Sequence, residues 1–336
     1  MKKIFKTFLC VLSVIFVSAF ISGCSEMSSN NQNGKNSSKD YSLPNGDITD
    51  IVPVAAGGGT DLTHRAIAEA AQEYLDKNIN VVNVTGAGGS VGFSQTATKK
   101  ANGLTIHSYT SEIFTLPIFQ KASFSPDDFK PFILMNEDPA AIVVPANSEF
   151  ETIEDFIKAA KDKPGKISIG NSGFGNIWHL SAAAFANKAE VELKHVPFDG
   201  AAPTLQAALG GHIDAFVASP PEVSSQVETG TLRILAVMAE ERSEKFSDVP
   251  TLKEKGIDLS IGTWRGLGVP ADTPDEAVQI LHDAFAKAVK EEDFQSFMKE
   301  RGLTIRYMNT EEFTQFVEGQ RPFFEELAKE VSKTKE

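Results

Sequence analysis

Three short stretches carry residue types that hold an anion without a charged side chain: AAGGGTD at 55–61, VTGAGGSVG at 84–92 and GNSGFGN at 170–176. In each, glycines let the chain turn tightly and bring bare amide N–H groups near a ligand, and a serine, threonine or asparagine adds a donor. The stretch VTGAGGSVG has the composition of a phosphate cradle. Its glycines fall at 86, 88, 89 and 92, with valine at 91, so the Gly-x-Gly-x-x-Gly order of a dinucleotide site is not met. No lysine lies between Val84 and Ala97, as a Walker loop needs. What remains is a set of backbone donors that suits a carboxylate as well as a phosphate. No arginine or lysine lies in any of the three, so an anion there would rely on helix-end dipoles and hydrogen bonds. Taken alone, VTGAGGSVG reads equally well as a plain turn between a strand and a helix. Three at the same kind of junction suggest one site.

Other residues invite sharper readings. Ser172, His179 and Asp214 can be drawn as a hydrolase triad, but Ser172 sits between Asn171 and Gly173, not in a Gly-x-Ser-x-Gly elbow. A histidine that orients the loop is the better reading of His179. Asp61 reads as a helix-dipole partner, with contact to a ligand amino group or bridging water as its functional alternative. The histidines at 64, 107, 179, 195, 212 and 282 show no metal-ligand spacing, and no metal or cofactor is expected.

The elements that must position these loops alternate. DITDIVPV, INVVNV, GLTIHSY, FKPFILMN, KISIG, LKHVPF, IDAFVA and RILAVMA read as strands, and helical stretches lie between most of them. The first helix has apolar residues at 62, 66, 67 and 70; Ser90 is placed to cap the second. Thr152 with Asp155 makes a near capping box. Thr273-Pro274-Asp275-Glu276 reads as an N-cap, a proline at the first helical position and an acid at the third, followed by an apolar stripe at 278, 281, 285 and 289. Strand, helix, strand at this spacing predicts parallel pairing in an α/β fold of two lobes with a cleft between them.

The chain opens with lysines at 2, 3 and 6, an apolar run and small residues before Cys24, the order of a secretory signal. Ile21-Ser22-Gly23-Cys24 resembles the bacterial lipoprotein box, which makes Cys24 the expected lipidation site. The boundaries expected are a signal at 1–23, a polar tether at 24–46, a first lobe at 47–142, a second at 143–240, and a return to the first with C-terminal helices at 241–336. Removing residues 1–23 moves the formal net charge from −13 to −16, which argues against nucleic-acid binding.

The motifs IVPVAAGGGTDLTHR, VVNVTGAGGSVG, GKISIGNSGFGNIWHLSAAAF, HVPFDGAAPTLQAALGGHIDAFV, LRILAVMAEERSEKFSDVPTLKEKG and GLGVPADTPDEAVQIL stand in one order, from about Ile48 to about Glu325. As an ordered set they resemble the extracytoplasmic solute receptors of tripartite tricarboxylate transporters, the Bug family. The resemblance implies a periplasmic-binding-protein (type 2-like) fold, no enzymatic activity, and capture of a small organic carboxylate: a di- or tricarboxylate, an acidic amino acid or an aromatic acid. It implies delivery to the large and small membrane subunits of a transporter by a monomeric receptor. Carried over by motif, the implied contacts are Ala56, Gly58, Thr60 and Asp61; Gly88, Gly89 and Ser90; and Ser172, Gly173, Asn176 and His179, with Ser111 and Ser219 as weaker ones. The chain departs from the family pattern at KKANGLTIHS, at Phe198 and at Asp199. Cys24 implies anchoring to the cell membrane, which suits a Gram-positive cell. A sensory receptor serving a membrane kinase would share this binding chemistry.

Overall fold

The computed structural model describes residues 41–243 and 245–333, so the signal, most of the tether and Cys24 lie outside the described residues. The first βα units are β1 (Ile48–Val52), α1 (Gly59–Leu75), β2 (Ile79–Asn83), α2 (Ser90–Ala97), β3 (Thr105–Tyr109) and α3 (Glu112–Phe119). A long strand β4 (Phe129–Pro145) leads into α4 (Ile153–Asp162), β5 (Ser168–Asn171), α5 (Ile177–Ala189), β6 (Lys194–Pro197), α6 (Ala201–Leu209), β7 (Ala215–Ala218), α7 (Pro220–Glu228) and β8 (Leu232–Met238). The chain ends with β9 (Gly262–Pro270), α8 (Asp275–Ala288), α9 (Glu292–Arg301), β10 (Ile305–Met308) and α10 (Thr310–Lys333).

Hydrogen-bonded strands run in the order β2-β1-β3-β9-β4-β7-β5-β6, and β8 and β10 also pair with β4. Two parallel sets result: β1 lies between β2 and β3, and β5 lies between β6 and β7. Strand β4 serves both halves. Residues 129–139 ladder with β9, and residues 140–145 with β8, all antiparallel. Parallel strands need helical crossovers, and these put each helix N-terminus at the carboxyl end of a strand, where ligands of open α/β sheets sit.

Local sequence accounts for some helix starts. Thr152 and Asp155 form a full reciprocal capping box, with Thr152 Oγ1 accepting from Asp155 N at 3.1 Å and Asp155 Oδ2 accepting from Thr152 N at 3.0 Å. The stripe of α8 is buried as expected at Val278, Leu281, Phe285 and Val289. Its start shifts by one residue: Pro274 is the N-cap, and Thr273 Oγ1 donates to Pro270 O instead of capping. Ser90 also differs from expectation, being the first residue of α2 behind a Gly89 cap and making no side-chain cap bond. The inward face of α1 is rotated. Of the expected stripe only Ile67 is fully buried, beside Thr63, His64, Ala68 and Ala71. The cause is a polar pair inside the protein: His64 Nδ1 lies 2.7 Å from Asp50 Oδ2 on β1, both fully buried. Leu43 packs into the same core cluster as Ile48 and Ile67, so the packed body begins a few residues before 47.

Candidate functional site

Strand-to-helix junctions from both halves of the sheet converge on one small cavity of about 30 Å³. Its wall takes Pro53, Val54, Gly58 and Thr60 from the β1–α1 loop and Gly88 from the β2–α2 loop. Ser108, Thr110 and Glu112 come from the end of β3 and the start of α3; Ser172, Asn176, Ile177 and Trp178 come from the β5–α5 loop and helix start. Ala201, Glu222 and Thr263 complete it. Two wall hydroxyls, Ser108 Oγ and Ser172 Oγ, are buried without a hydrogen-bond partner. A buried hydroxyl left so costs free energy, and a ligand oxygen would recover it.

The loops are tied to one another by backbone contacts. Gly88 has φ +65° and Gly173 φ +106°, and a Cβ on Gly173 would stand 2.6 Å from the Gly88 Cα, so only glycine lets the second and third loops touch. Thr115 Oγ1 of α3 donates to Gly175 O at 2.6 Å, and Ala55 N donates to Asp199 O at 2.9 Å. His179 orients the third loop, as the sequence suggests: its Nδ1 accepts from Gly175 N at 3.2 Å.

Of the residues singled out in the sequence, Gly58, Thr60, Gly88, Ser172 and Asn176 lie on this wall. Gly89, Ser90, Ser111, Gly173, His179 and Ser219 are in the adjoining turns and helix starts, and Ala56 is exposed at the rim of its loop. Asn176 caps α5 through Oδ1, which accepts from Trp178 N at 3.2 Å. Asp61 is occupied by the protein. It accepts from Gly57 N at 2.8 Å, Asn83 Nδ2 at 2.8 Å and Arg65 Nε at 3.1 Å. Burial acts to raise its pKa, but these hydrogen bonds together hold it below the usual aspartate value. The triad drawn from Ser172, His179 and Asp214 is not assembled. Asp214 Oδ2 accepts from Ser168 N and Oγ at the far end of β5, about 13 Å along the strand from Ser172. Phe198 and Asp199 lie outside the wall.

A model of the family described as "Tripartite tricarboxylate transporter family receptor" matches residues 63–332. The chain belongs to that family. A protein from Cupriavidus necator, named for its place in the gbd 5′ region, is 34% identical over 275 residues, covering 82% of this chain and 84% of its own. MatC from Rhodopseudomonas palustris, solved with bound malate, aligns with a TM-score of 0.80 at 25% identity, covering 85% of this chain and 100% of that one. Another R. palustris protein, solved with adipate, gives 0.80 at 27% identity, covering 85% and 97%. The architecture is the two-lobed α/β fold of the periplasmic solute-binding proteins, BugD among them, which aligns with a TM-score of 0.81 at 28% identity, covering 85% of this chain and 98% of that one.

The receptor also contains four charged residues that sequence reasoning missed: Arg265, Asp138, Glu222 and Glu112. Arg265 on β9 is 1% exposed. Its Nη1 meets Asp138 Oδ2 at 2.6 Å and also bonds Asn136 Oδ1, its Nε donates to Thr60 Oγ1 at 3.2 Å, and its Nη2 lies 3.7 Å from Glu222 Oε1. Glu222 Oε1 accepts from Gly59 N at 2.8 Å, and Oε2 accepts from Ser219 N at 3.0 Å, joining the starts of α1 and α7. Glu112 Oε1 accepts from Ile177 N at 2.9 Å at the start of α5. Two helix N-termini that a ligand anion would otherwise meet are thus held by the receptor's own carboxylates. The signal that could have found Arg265 is a lone charge in the run GTWRGLGVP, which has no other polar residue beyond a threonine.

Proposed function

We propose that this receptor captures a small organic carboxylate outside the cytoplasm and delivers it to the large and small membrane subunits of a tripartite tricarboxylate transporter. One observation carries the reading: three glycine loops from separate βα units meet at one cavity whose wall holds two buried hydroxyls with no partner. The malate and adipate bound by the two R. palustris relatives support the ligand class. On this reading Gly58, Thr60, Gly88, Ser172 and Asn176 meet the ligand directly. Asp61, Gly89, Ser90, Ser111, Gly173, His179 and Ser219 shape the turns that hold them. The protein acts as a monomer and binds without turnover. The two lobes comprise residues 47–142 with 241–336, and 143–240, and they close on the ligand.

The test is a thermal-shift screen of the refolded protein against di- and tricarboxylates, acidic amino acids and aromatic acids. A ligand at a hundredfold above its Kd stabilises by about 2.7 kcal/mol. Ser172→Ala should weaken the best ligand by roughly 0.5–1.5 kcal/mol in calorimetry, since one hydrogen bond is lost. No shift with any acid sinks the reading; an unchanged affinity in the variant removes Ser172 from the site.

The membrane attachment in this proposal rests on Cys24 in the sequence. Fatty-acid label should enter the wild-type protein in cells and be absent from Cys24→Ala; equal labelling of both ends the anchor reading. The family places the receptor outside the cytoplasm. The relatives named above come from Gram-negative bacteria, so a Gram-positive origin rests on the anchor alone.

A further inference from the structure

We infer that the cavity takes a carboxylate that also carries a cationic nitrogen, and that Glu112 is the group that receives the nitrogen. This rests on the carboxylate-receptor reading and narrows it. Both wall glutamates have enclosed side chains, but they are not equivalent. Glu222 has both oxygens engaged by Gly59 and Ser219 and has Arg265 Nη2 at 3.7 Å. Glu112 accepts one hydrogen bond, from Ile177 N to Oε1. Among the described residues its Oε2 accepts none, and no arginine or lysine pairs with it. Arg265 is committed to Asp138 at 2.6 Å, so it does not neutralise Glu112.

The wall therefore offers two kinds of partner. Ser108 and Ser172, 0% and 3% exposed, present hydroxyls with no partner, which suit a ligand carboxylate. Glu112 presents a carboxylate oxygen with no donor. In so small a cavity little water screens the charges. A ligand with only carboxylates sets like charge against Glu112, and one with an ammonium group supplies the donors and the charge that Oε2 lacks.

The test is isothermal calorimetry on the purified protein with ligands paired by skeleton: aspartate with succinate, 4-aminobutyrate with butyrate, and proline with cyclopentanecarboxylate. In at least one pair the nitrogen-bearing member should bind about tenfold tighter or more, the size of one charge-assisted contact. Glu112→Gln keeps the acceptor for Ile177 N and removes the charge, so it should reduce that preference to about twofold or less. The wild-type ratio needs no variant, so a Glu112→Gln protein that misfolds leaves the test standing. Equal or tighter binding of the nitrogen-free member in every pair overturns the inference, as does an unchanged ratio in a folded Glu112→Gln. Both results leave the carboxylate reading intact. Absence of binding by all six compounds, with no hit in the wider acid screen, overturns both.

Discussion

Arg265→Met should lower the stability of the receptor by about 3–5 kcal/mol, the cost of stranding a buried charge when its partner is removed. The guanidinium is enclosed, and its loss leaves Asp138, fully buried, and Glu222 without a cation. Asn136 Oδ1 and Thr60 Oγ1 lose a donor at the same time. Urea denaturation reads the change as a fall in midpoint at constant slope. Arg321→Met is the control. Its ion pairs with Asp127 and Glu325 join partly to largely exposed side chains, and such surface pairs contribute about 0–1 kcal/mol each. If the two variants lose equal stability, the Arg265 cluster is hydrated and its electrostatic role has been misread. Arg265→Lys should recover only part of the loss, because a single ammonium cannot reach Asp138, Asn136 and Thr60 in the planar fork that arginine provides.

Gly173→Ala should cost about 2–4 kcal/mol and abolish the thermal stabilisation by ligand. Two effects add. At φ +106° an L side chain is strained, and its Cβ would lie 2.6 Å from Gly88 Cα and 3.1 Å from Gly88 N. The two loops must then separate, and the wall they build separates with them. Gly211→Ala isolates the contact, since Gly211 has φ +71° with nothing within 4 Å of the added carbon. That variant should lose only about 1 kcal/mol and keep its ligand response. Equal losses at the two positions would mean that backbone strain alone, and not the meeting of loops, makes Gly173 necessary.

The loops were legible in the sequence because their chemistry is local. A glycine-rich run between a β-branched segment and an amphipathic one declares a strand-to-helix turn within a dozen residues, and eight of the strands could be placed by such runs. Apart from the caps expected at Ser90 and Thr273, which the structure shifts by one residue, what failed depends on a partner far along the chain. FKPFILMN reads as a strand that stops at Asn136. In the fold β4 continues to Pro145, and Asn136 and Asp138 are buried because Arg265, 127 residues from Asp138, satisfies both. Strand β9 was not visible as a strand because Gly262, Gly266 and Gly268 depress β-propensity. They are there because the sheet is crowded: a Cβ on Gly266 would collide with the Phe313 ring, and one on Gly268 would stand 2.5 Å from Tyr109 Cδ2. Glu112 and Glu222 failed for a related reason. Each sits at the start of its own helix, where an acid is ordinary, and each also accepts from the first turn of a different helix, Glu222 while capping its own through Ser219 N.

The Arg265 cluster also bears on how the chain reaches this state. Its members, Thr60, Asn136, Asp138, Glu222 and Arg265, come from segments up to 205 residues apart, and apart from the neighbours Asn136 and Asp138 none can find another through a local hairpin or helix. Until β4 and β9 are paired and both βα halves are docked, the guanidinium keeps its hydration and offers no stabilisation. Once they are, it locks them together. Such long-range closure makes folding slow relative to proteins of local topology. It also disfavours a long-lived species with one half formed, because that half would bury carboxylates that still lack their cation. Newly made protein is therefore expected to stay open to proteases until late and then become resistant in a single step.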